Sequence, residues 1–262
     1  PDTIVRIGNN AFFSCEKLAE INMPILLSEM GDNVFRQCKS MSEITMYNAL
    51  SKLGSASFYG CESLRQVKLS QRINIIEHDT FYGCKALDSI DTSYVTQIGE
   101  DAFAHCESLT SLSFYSVEKI GDRAFYGCAL KWASLYGGLT ELGQMAFAGC
   151  WQLTGVSLYV SAATLPRGCF IGCFSLKNVL ISKSVEKIES GAFYGCSALS
   201  RIRGMMGVDT IENNSFGKCD MLTELNLPVS IKSLGDDLYG ENDEWEDRLS
   251  DLERYPVSGE SL

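Results

Sequence analysis

Ten copies of the pattern Phe-x-x-Cys, evenly spaced along the chain, restrict its fold more than any other feature. Successive Phe residues are separated by 23, 23, 23, 22, 22, 22, 23, 23 and 23 residues. Ten of the eleven cysteines therefore occupy one phase of a single period. Self-similarity at a fixed period of about 20 to 50 residues is typical of stacked repeat proteins. The ten Phe residues are Phe12, Phe35, Phe58, Phe81, Phe103, Phe125, Phe147, Phe170, Phe193 and Phe216.

Other positions recur with the same period, and together they give the unit I-G-x-x-A-F-x-x-C-x-x-L-x-x-I-x-L. The final I-x-L alternates with polar neighbours, which predicts a short strand with one face inward. A-F-x-x-C has the spacing of a tight helical turn that points Phe and Cys to one side. The Gly after the first aliphatic residue, such as Gly121, is expected to allow a backbone reversal. Because one unit cannot bury its own apolar side, we expect successive units to stack and their strands to form one long parallel sheet.

This unit resembles that of the BspA-like leucine-rich repeat proteins of bacteria and protists, over about residues 4 to 239. The resemblance implies an α/β-type repeat solenoid, a right-handed superhelix of about ten coils of 22 to 23 residues. It also implies that the parallel sheet of short strands lies on the concave face. Members of this family are commonly cell-surface or secreted proteins implicated in adhesion and protein interaction. The chain departs from the family unit where Glu replaces Gly, at Glu77, Glu189 and Glu212.

The composition changes abruptly after the last repeat, so we expect a solenoid over residues 1–240 and an acidic C-terminal capping helix or tail over 241–262. The final segment has eight acidic residues and two Arg. Within it Trp245, Leu249 and Leu252 follow the i, i+4, i+7 spacing of an amphipathic helix. Asp243 is available as its N-cap, and Pro256 lies beyond its end.

We expect this helix to cover the last coil, because an open solenoid end exposes apolar core and unpaired strand edges. The alternative is a disordered acidic tail. At the other terminus the chain starts at Pro1, with neither a methionine nor a basic-then-apolar signal sequence. We therefore expect it to be a mature or trimmed form of a longer protein.

The formal net charge of -11 argues against nucleic acid or an anionic membrane surface as a partner. No run of 18 apolar residues is present, so we expect no membrane-spanning segment. We also expect no cofactor, and a monomer.

The repeated cysteines could be disulfide-bonded, metal-binding, redox-active or simply buried in the core. Free Cys behaves as a small buried hydrophobe. Stacked coils would place equivalent Cβ atoms about 4.8 Å apart, beyond the usual Cβ separation of a disulfide. Zinc needs converging ligands, whereas this ladder offers one thiol per coil. The eleventh cysteine, Cys169, occupies the small-residue position before Phe170. We therefore expect reduced, buried thiols and no metal site.

Catalytic motifs are absent from the sequence. His78 and His105 are the only histidines, and neither has a partner arranged by a motif. No spacing pairs two carboxylates as acid and base. We therefore expect that the protein is not an enzyme.

Aromatic residues gather on the strand face that points away from the core, which in leucine-rich repeat folds is the concave side. Tyr115, Tyr136 and Tyr159 follow the last strand residue in three consecutive repeats, where Ser113, Ser134 and Ser157 lie between the inward residues. Tyr and Trp are enriched at binding hot spots. The alternative is that Tyr favours strand ends and stabilises its neighbours without any ligand. The candidate ligand-binding residues, here named the central patch, are Tyr94, Tyr115, Trp132, Ser134, Tyr136 and Tyr159.

A non-enzymatic, adhesin-like interaction module is the function that these features and the family resemblance favour. It would be displayed at the cell surface or secreted, and would bind a protein, such as a host or matrix protein, or a glycan through the concave sheet. The alternative is a passive structural spacer within a larger surface protein.

Overall fold

The computed structural model describes residues 2–240 and 243–252, apart from the side chain of Asp243, and this part of the chain forms short parallel strands and one α-helix. The strands are β1 (Arg6–Ile7), β2 (Glu29–Met30), β3 (Glu43–Thr45), β4 (Lys52–Leu53), β5 (Gln66–Lys68), β6 (Ile75–Ile76), β7 (Ser89–Ile90), β8 (Gln97–Ile98), β9 (Lys119–Ile120), β10 (Trp132–Leu135), β11 (Glu141–Leu142), β12 (Gly155–Leu158), β13 (Thr164–Leu165), β14 (Asn178–Ile181), β15 (Lys187–Ile188), β16 (Arg201–Arg203), β17 (Thr210–Ile211) and β18 (Ser233–Leu234). A 3-10 turn spans Met205–Gly207, and helix α1 spans Asp243–Leu252. No helix in the described ranges is both long and apolar enough to cross a membrane.

Strands of neighbouring repeats pair in parallel and build two ladders along the molecule. The front ladder contains the strands that begin two residues after the repeat Leu, or after Met41 for β3, in the sheets β3-β5-β7 and β10-β12-β14-β16. The back ladder contains the strands that end five residues before Phe, or before Tyr239 for β18. Its sheets are β1-β2-β4, β6-β8-β9-β11 and β13-β15-β17-β18. The chain is therefore a solenoid of about ten stacked coils, which confirms the fold class predicted from the period.

The front ladder is interrupted, so the one continuous sheet that the repeat predicts does not form. Strand β7 ends at Ile90, where Asp91 Oδ1 accepts hydrogen bonds from the backbone N–H and the hydroxyl of Ser93, at 2.9 and 2.6 Å. The hydroxyl of Thr92 donates to the carbonyl of Ser113 at 2.8 Å. Side-chain hydrogen bonds of this kind compete with the backbone ladder and locally replace it.

The ten repeat Phe rings form one continuous stack through the core. Centroids of neighbouring rings are 5.1 to 5.7 Å apart, with interplanar angles of 4 to 18°. All of these rings except Phe12 are fully buried. The repeat position that sequence identifies most strongly is thus the centre of the hydrophobic core.

Gly121 is needed for close approach between coils, and the expectation that it reverses the backbone is wrong. A Cβ added at Gly121 would lie 2.6 Å from the backbone nitrogen of Glu100 in the preceding coil. The left-handed residues are instead Arg123 and Gly127, with φ of 51° and 66°, on either side of Phe125. The turn around Phe is therefore made by two backbone reversals that flank it.

Helix α1 forms over the segment where the i, i+4, i+7 spacing predicts it, but it does not cover the last coil. Trp245, Leu249 and Leu252 are buried, and they form a second apolar cluster with residues that follow the repeat Phe. These residues are Ala148, Ile171 and Tyr194, on the flank of repeats seven to nine. The helix therefore runs along the side of the solenoid, and the expected placement over the end is wrong. The N-cap side chain of Asp243 and the stop at Pro256 lie outside the described residues, and the division of the chain at residue 240 stays a prediction.

Ion pairs and close packing hold the helix on this flank. Glu246 accepts hydrogen bonds from the hydroxyl of Tyr194 and the ammonium of Lys218, and Glu244 pairs with Arg167. The helix side chains lie against glycines where a Cβ would clash, which are Gly149, Gly168, Gly172, Gly191 and Gly195. These glycines form a groove for the helix, because a side chain at any of these positions would occupy the same space.

Candidate functional site

Nine of the ten repeated thiols lie in the core, where each one donates a hydrogen bond to the coil before it. Cys128 Sγ lies 3.0 Å from the carbonyl oxygen of Phe103, and the other eight such contacts measure 3.1 to 3.2 Å. The nine donors are Cys38, Cys61, Cys84, Cys106, Cys128, Cys150, Cys173, Cys196 and Cys219. The cysteine ladder therefore satisfies a row of buried carbonyl groups, a role beyond space filling that the sequence did not suggest.

Burial also suppresses the reactivity of these thiols. It raises the pKa of Cys38 to about 11 and that of Cys219 to about 12, because a thiolate is poorly solvated in the core. The thiolate is the nucleophilic and metal-binding form. Ten of the eleven cysteines are buried, and the exception is Cys15 in the first coil, which is exposed.

We predict that one thiol of the native 262-residue chain reacts quickly with a thiol reagent. Cys15 should be labelled first, and the ten buried thiols should wait for local or global unfolding. Peptide mass spectrometry of the partially labelled protein checks the assignment, and the denatured protein should show all eleven thiols. Labelling of several buried cysteines at the rate of Cys15 would contradict the core role.

The two histidines lie in different surroundings. His78 is exposed, and its Nδ1 lies 3.3 Å from Asp79 Oδ2. His105 is packed edge-on between Tyr82 and Tyr126, and burial lowers its pKa. Among the described residues, no group of three or more His, Cys, Asp or Glu side chains is arranged to hold a metal ion.

The central patch lies on the outward face of the front ladder and on the turns that follow it, where its aromatic rings are open to solvent. The exposed fractions are 51% for Tyr94, 76% for Tyr115, 50% for Trp132, 42% for Tyr136 and 51% for Tyr159. The repeat Phe residues show the opposite burial, since nine of the ten are fully buried. The aromatic residues of the central patch therefore lie on an open face, and the repeat Phe residues lie in a closed core.

Three of these residues form a contact row, here named the tyrosine row, which consists of Tyr115, Tyr136 and Tyr159. The ring centroids of Tyr115 and Tyr136 are 5.8 Å apart with an interplanar angle of 60°. Tyr136 and Tyr159 are 6.4 Å apart and nearly parallel, at 12°. Within the described part of the chain, Tyr94 makes no ring contact with this row. The row presents three adjacent ring faces and edges to solvent.

Trp132 and Ser134 form a hydrogen-bonded pair beside the tyrosine row. Trp132 Nε1 donates to Ser134 Oγ at 2.8 Å. The indole extends over the next strand, because a Cβ added at Gly155 would lie 2.0 Å from its six-membered ring. The packing of this ring on Gly155 could not be read from the spacing, since it depends on a contact between two coils.

Sequence reasoning did not single out the far edge of the same sheet. Arg201 and Arg203 on β16 are exposed, and they occupy the repeat positions that Trp132 and Ser134 occupy on β10. The repeat phase was the available signal, because residues at one phase share one face of the sheet. At the other end of the front ladder, Glu20, Glu43 and Tyr47 line a shallow cavity of about 340 Å³.

A second group of tyrosines lies on the flank of the solenoid and belongs to the packing of the coils. Tyr59 and Tyr82 stack at 4.6 Å, and Arg36 lies over the ring of Tyr59. Tyr126 borders the cluster beneath helix α1. These half-buried rings continue the surface that the helix covers in repeats seven to nine.

Comparison with known proteins gives both a family and several solved structures. The family described as the BspA-type leucine-rich repeat region matches residues 1–110, 89–200 and 118–246. No curated protein matches the chain. A leucine-rich repeat protein from Bacteroides ovatus is similar in structure, with a TM-score of 0.73 and 25% identity over 90% of this chain and 73% of that one.

Two further solved structures share the fold. A leucine-rich repeat protein from Eubacterium ventriosum gives a TM-score of 0.61 at 18% identity, over 92% of this chain and 82% of its own. A leucine rich cell surface protein from Faecalibacterium prausnitzii gives 0.50 at 21% identity, over 94% of this chain and 72% of its own. The family matches together span nearly the whole solenoid, so the chain belongs to the BspA-type leucine-rich repeat family.

Proposed function

We propose that the protein is a non-enzymatic interaction module, displayed at the cell surface or secreted, which binds a protein or glycan on the outward face of its front ladder. The family supports an interaction role. The neighbour from Faecalibacterium prausnitzii is described as a cell surface protein, which supports the location. Tyr94, Tyr115, Trp132, Ser134, Tyr136 and Tyr159 are the proposed contact residues.

The tyrosine row carries this proposal. Each of its rings is at least 42% exposed, so the row retains a large accessible aromatic area after its own stacking. Tyr gives a large contact area at a low cost in conformational entropy. A surface that served only to stabilise neighbouring coils would gain more from burying these rings, as the Phe stack does.

The first experiment is a binding screen of the full chain against purified extracellular-matrix proteins and defined oligosaccharides. Each ligand that binds is then used in oxidative footprinting of the tyrosines. We expect protection of Tyr115, Tyr136 and Tyr159. Tyr239, which is 50% exposed on the last coil, is the internal control and should stay reactive.

Protection of Tyr239 or of the flank tyrosines, with the tyrosine row still reactive, would refute this location. A chain that binds nothing in the screen would instead favour the structural spacer.

A further inference from the structure

Four strands of the front ladder form a floor whose outward positions fall into two straight rows. One row runs Trp132, Gly155, Asn178, Arg201, and the other runs Ser134, Ser157, Leu180, Arg203. Neighbouring parallel strands lie about 4.8 Å apart, so the first row extends roughly 14 Å from Trp132 to Arg201. The tyrosine row closes one side of this floor, because Tyr136 and Tyr159 directly follow strands β10 and β12.

Trp132 provides a flat apolar platform at one edge of the floor. Its ring lies over Gly155, and its only hydrogen-bond donor is already used by Ser134. Half of the side chain is nevertheless exposed. What Trp132 offers a ligand is therefore an aromatic face, which suits the apolar face of a sugar ring as well as it suits another aromatic group.

Arg201 and Arg203 provide positive charge at the opposite edge. They are the only charged residues on the four strands β10, β12, β14 and β16. Neither of them forms an ion pair with any residue that the structure describes, although Glu224 occupies the equivalent position in the following coil. Two exposed guanidinium groups on the face of a chain with net charge -11 favour an anionic ligand at this place.

From this arrangement we propose that the floor binds an anionic oligosaccharide, with one sugar ring on Trp132 and an acidic substituent on Arg201 and Arg203. This inference rests on the proposed function and names the ligand class of the same face. The separation of the two edges requires an oligomer, because a single sugar ring cannot reach both.

Between the two edges the floor is small and polar, which favours a carbohydrate over a protein. Ser134, Ser157 and Asn178 offer hydroxyl and amide groups for sugar hydroxyls, and Leu180 is the one aliphatic side chain among the outward residues. A protein interface usually has a more apolar buried centre. The sugar would therefore be held by hydrogen bonds between two anchors of different chemistry.

Matched pairs of acidic and neutral oligosaccharides test this assignment. The carboxylate pair is an oligogalacturonate and its methyl ester, and the sulfate pair is a heparin-derived oligosaccharide and its desulfated form. We expect the acidic member of at least one pair to bind ten or more times more tightly than its neutral partner, and its affinity to fall with rising salt. The pair that shows the preference identifies the acidic group.

Substitutions then separate the two anchors. The double variant Arg201→Gln/Arg203→Gln should lose at least tenfold in affinity for the acidic member and bind the neutral one as before. Trp132→Ala should lower the affinity for both the acidic and the neutral member. Arg72→Gln, which removes an exposed arginine in a turn between the ladders, is the matched control and should change nothing.

Three results would overturn the inference. They are equal binding of the acidic and neutral members, an acidic preference that survives the double arginine variant, and no oligosaccharide binding at all. A polyglutamate peptide that binds through the two arginines, where no oligosaccharide binds, would assign the floor to an acidic protein segment instead. If the inference fails in any of these ways and a ligand still protects the tyrosine row, the proposed function stands. A ligand that binds without contact to either set of residues would refute both.

Discussion

Replacement of Phe125 by Ala should lower the free energy of unfolding by about 3 to 5 kcal/mol, the largest effect expected from a single change in the solenoid. Phe125 is fully buried, and its ring stacks on Phe103 at 5.5 Å and on Phe147 at 5.2 Å. Phe114 also meets it edge-on at 5.4 Å. The substitution therefore leaves a cavity between the rings of Phe103 and Phe147. The rigid backbone ladder prevents the neighbouring coils from closing it.

Phe12→Ala and Cys128→Ala are the matched controls for this change. Phe12 has one stacking partner and is only partly buried, so its replacement should cost clearly less. Cys128→Ala removes one hydrogen bond to a carbonyl and a small volume, which should cost about 1 to 2 kcal/mol. Chemical denaturation of the three variants gives the comparison. Equal losses at Phe12 and Phe125 would show that the ring stack is not the centre of the core.

Replacement of Trp245 by Ala should detach helix α1 from the flank, at a cost of about 3 to 5 kcal/mol for that local unit. Only 1% of Trp245 is exposed, and its ring lies against Gly168 and Gly191 with Arg167 over it at 4.9 Å. A ten-residue helix is not stable in water by itself, so it depends on its packing against the solenoid. Without Trp245, the remaining apolar contacts are too few to keep it folded.

Hydrogen exchange of the amide groups in 244–252 measures the detachment. Exchange in this segment should rise strongly, while strands β3 to β9 keep their protection. Asp247→Asn alters an exposed residue of the same helix and should leave the exchange unchanged. Unchanged protection in the Trp245 variant would mean that the helix is held by other contacts, such as the ion pairs of Glu244 and Glu246.

The period of the sequence was enough to predict the solenoid, because ten copies of one unit can bury their apolar faces only by stacking. The three-residue spacing of a helical turn also placed Phe and Cys on one inward side. The alternation of the strand positions placed the tyrosine row outside. The break in the front ladder was not predictable, because it involves a hydrogen bond from Thr92 to Ser113 in the next coil.

The position of helix α1 was missed for a related reason. The spacing of Trp245, Leu249 and Leu252 predicts an amphipathic helix but not the surface that receives it. That surface is a groove along successive coils, made by glycines at two repeat phases together with Arg167 and Lys218. Spacing within one repeat also does not predict contacts between coils in the central patch. Examples are the contact of Trp132 with Gly155 and the row of residues that ends at Arg201.

The repeat residues build the scaffold, and we propose that the outward aromatic residues bind the ligand. The most direct test is the triple variant Tyr115→Ser/Tyr136→Ser/Tyr159→Ser, measured for unfolding midpoint and for affinity toward a ligand found in the screen, beside Tyr239→Ser as the control. We predict at least a tenfold loss of affinity in the triple variant, with an unfolding midpoint close to that of the unmodified chain. Undiminished binding by a folded triple variant would contradict it.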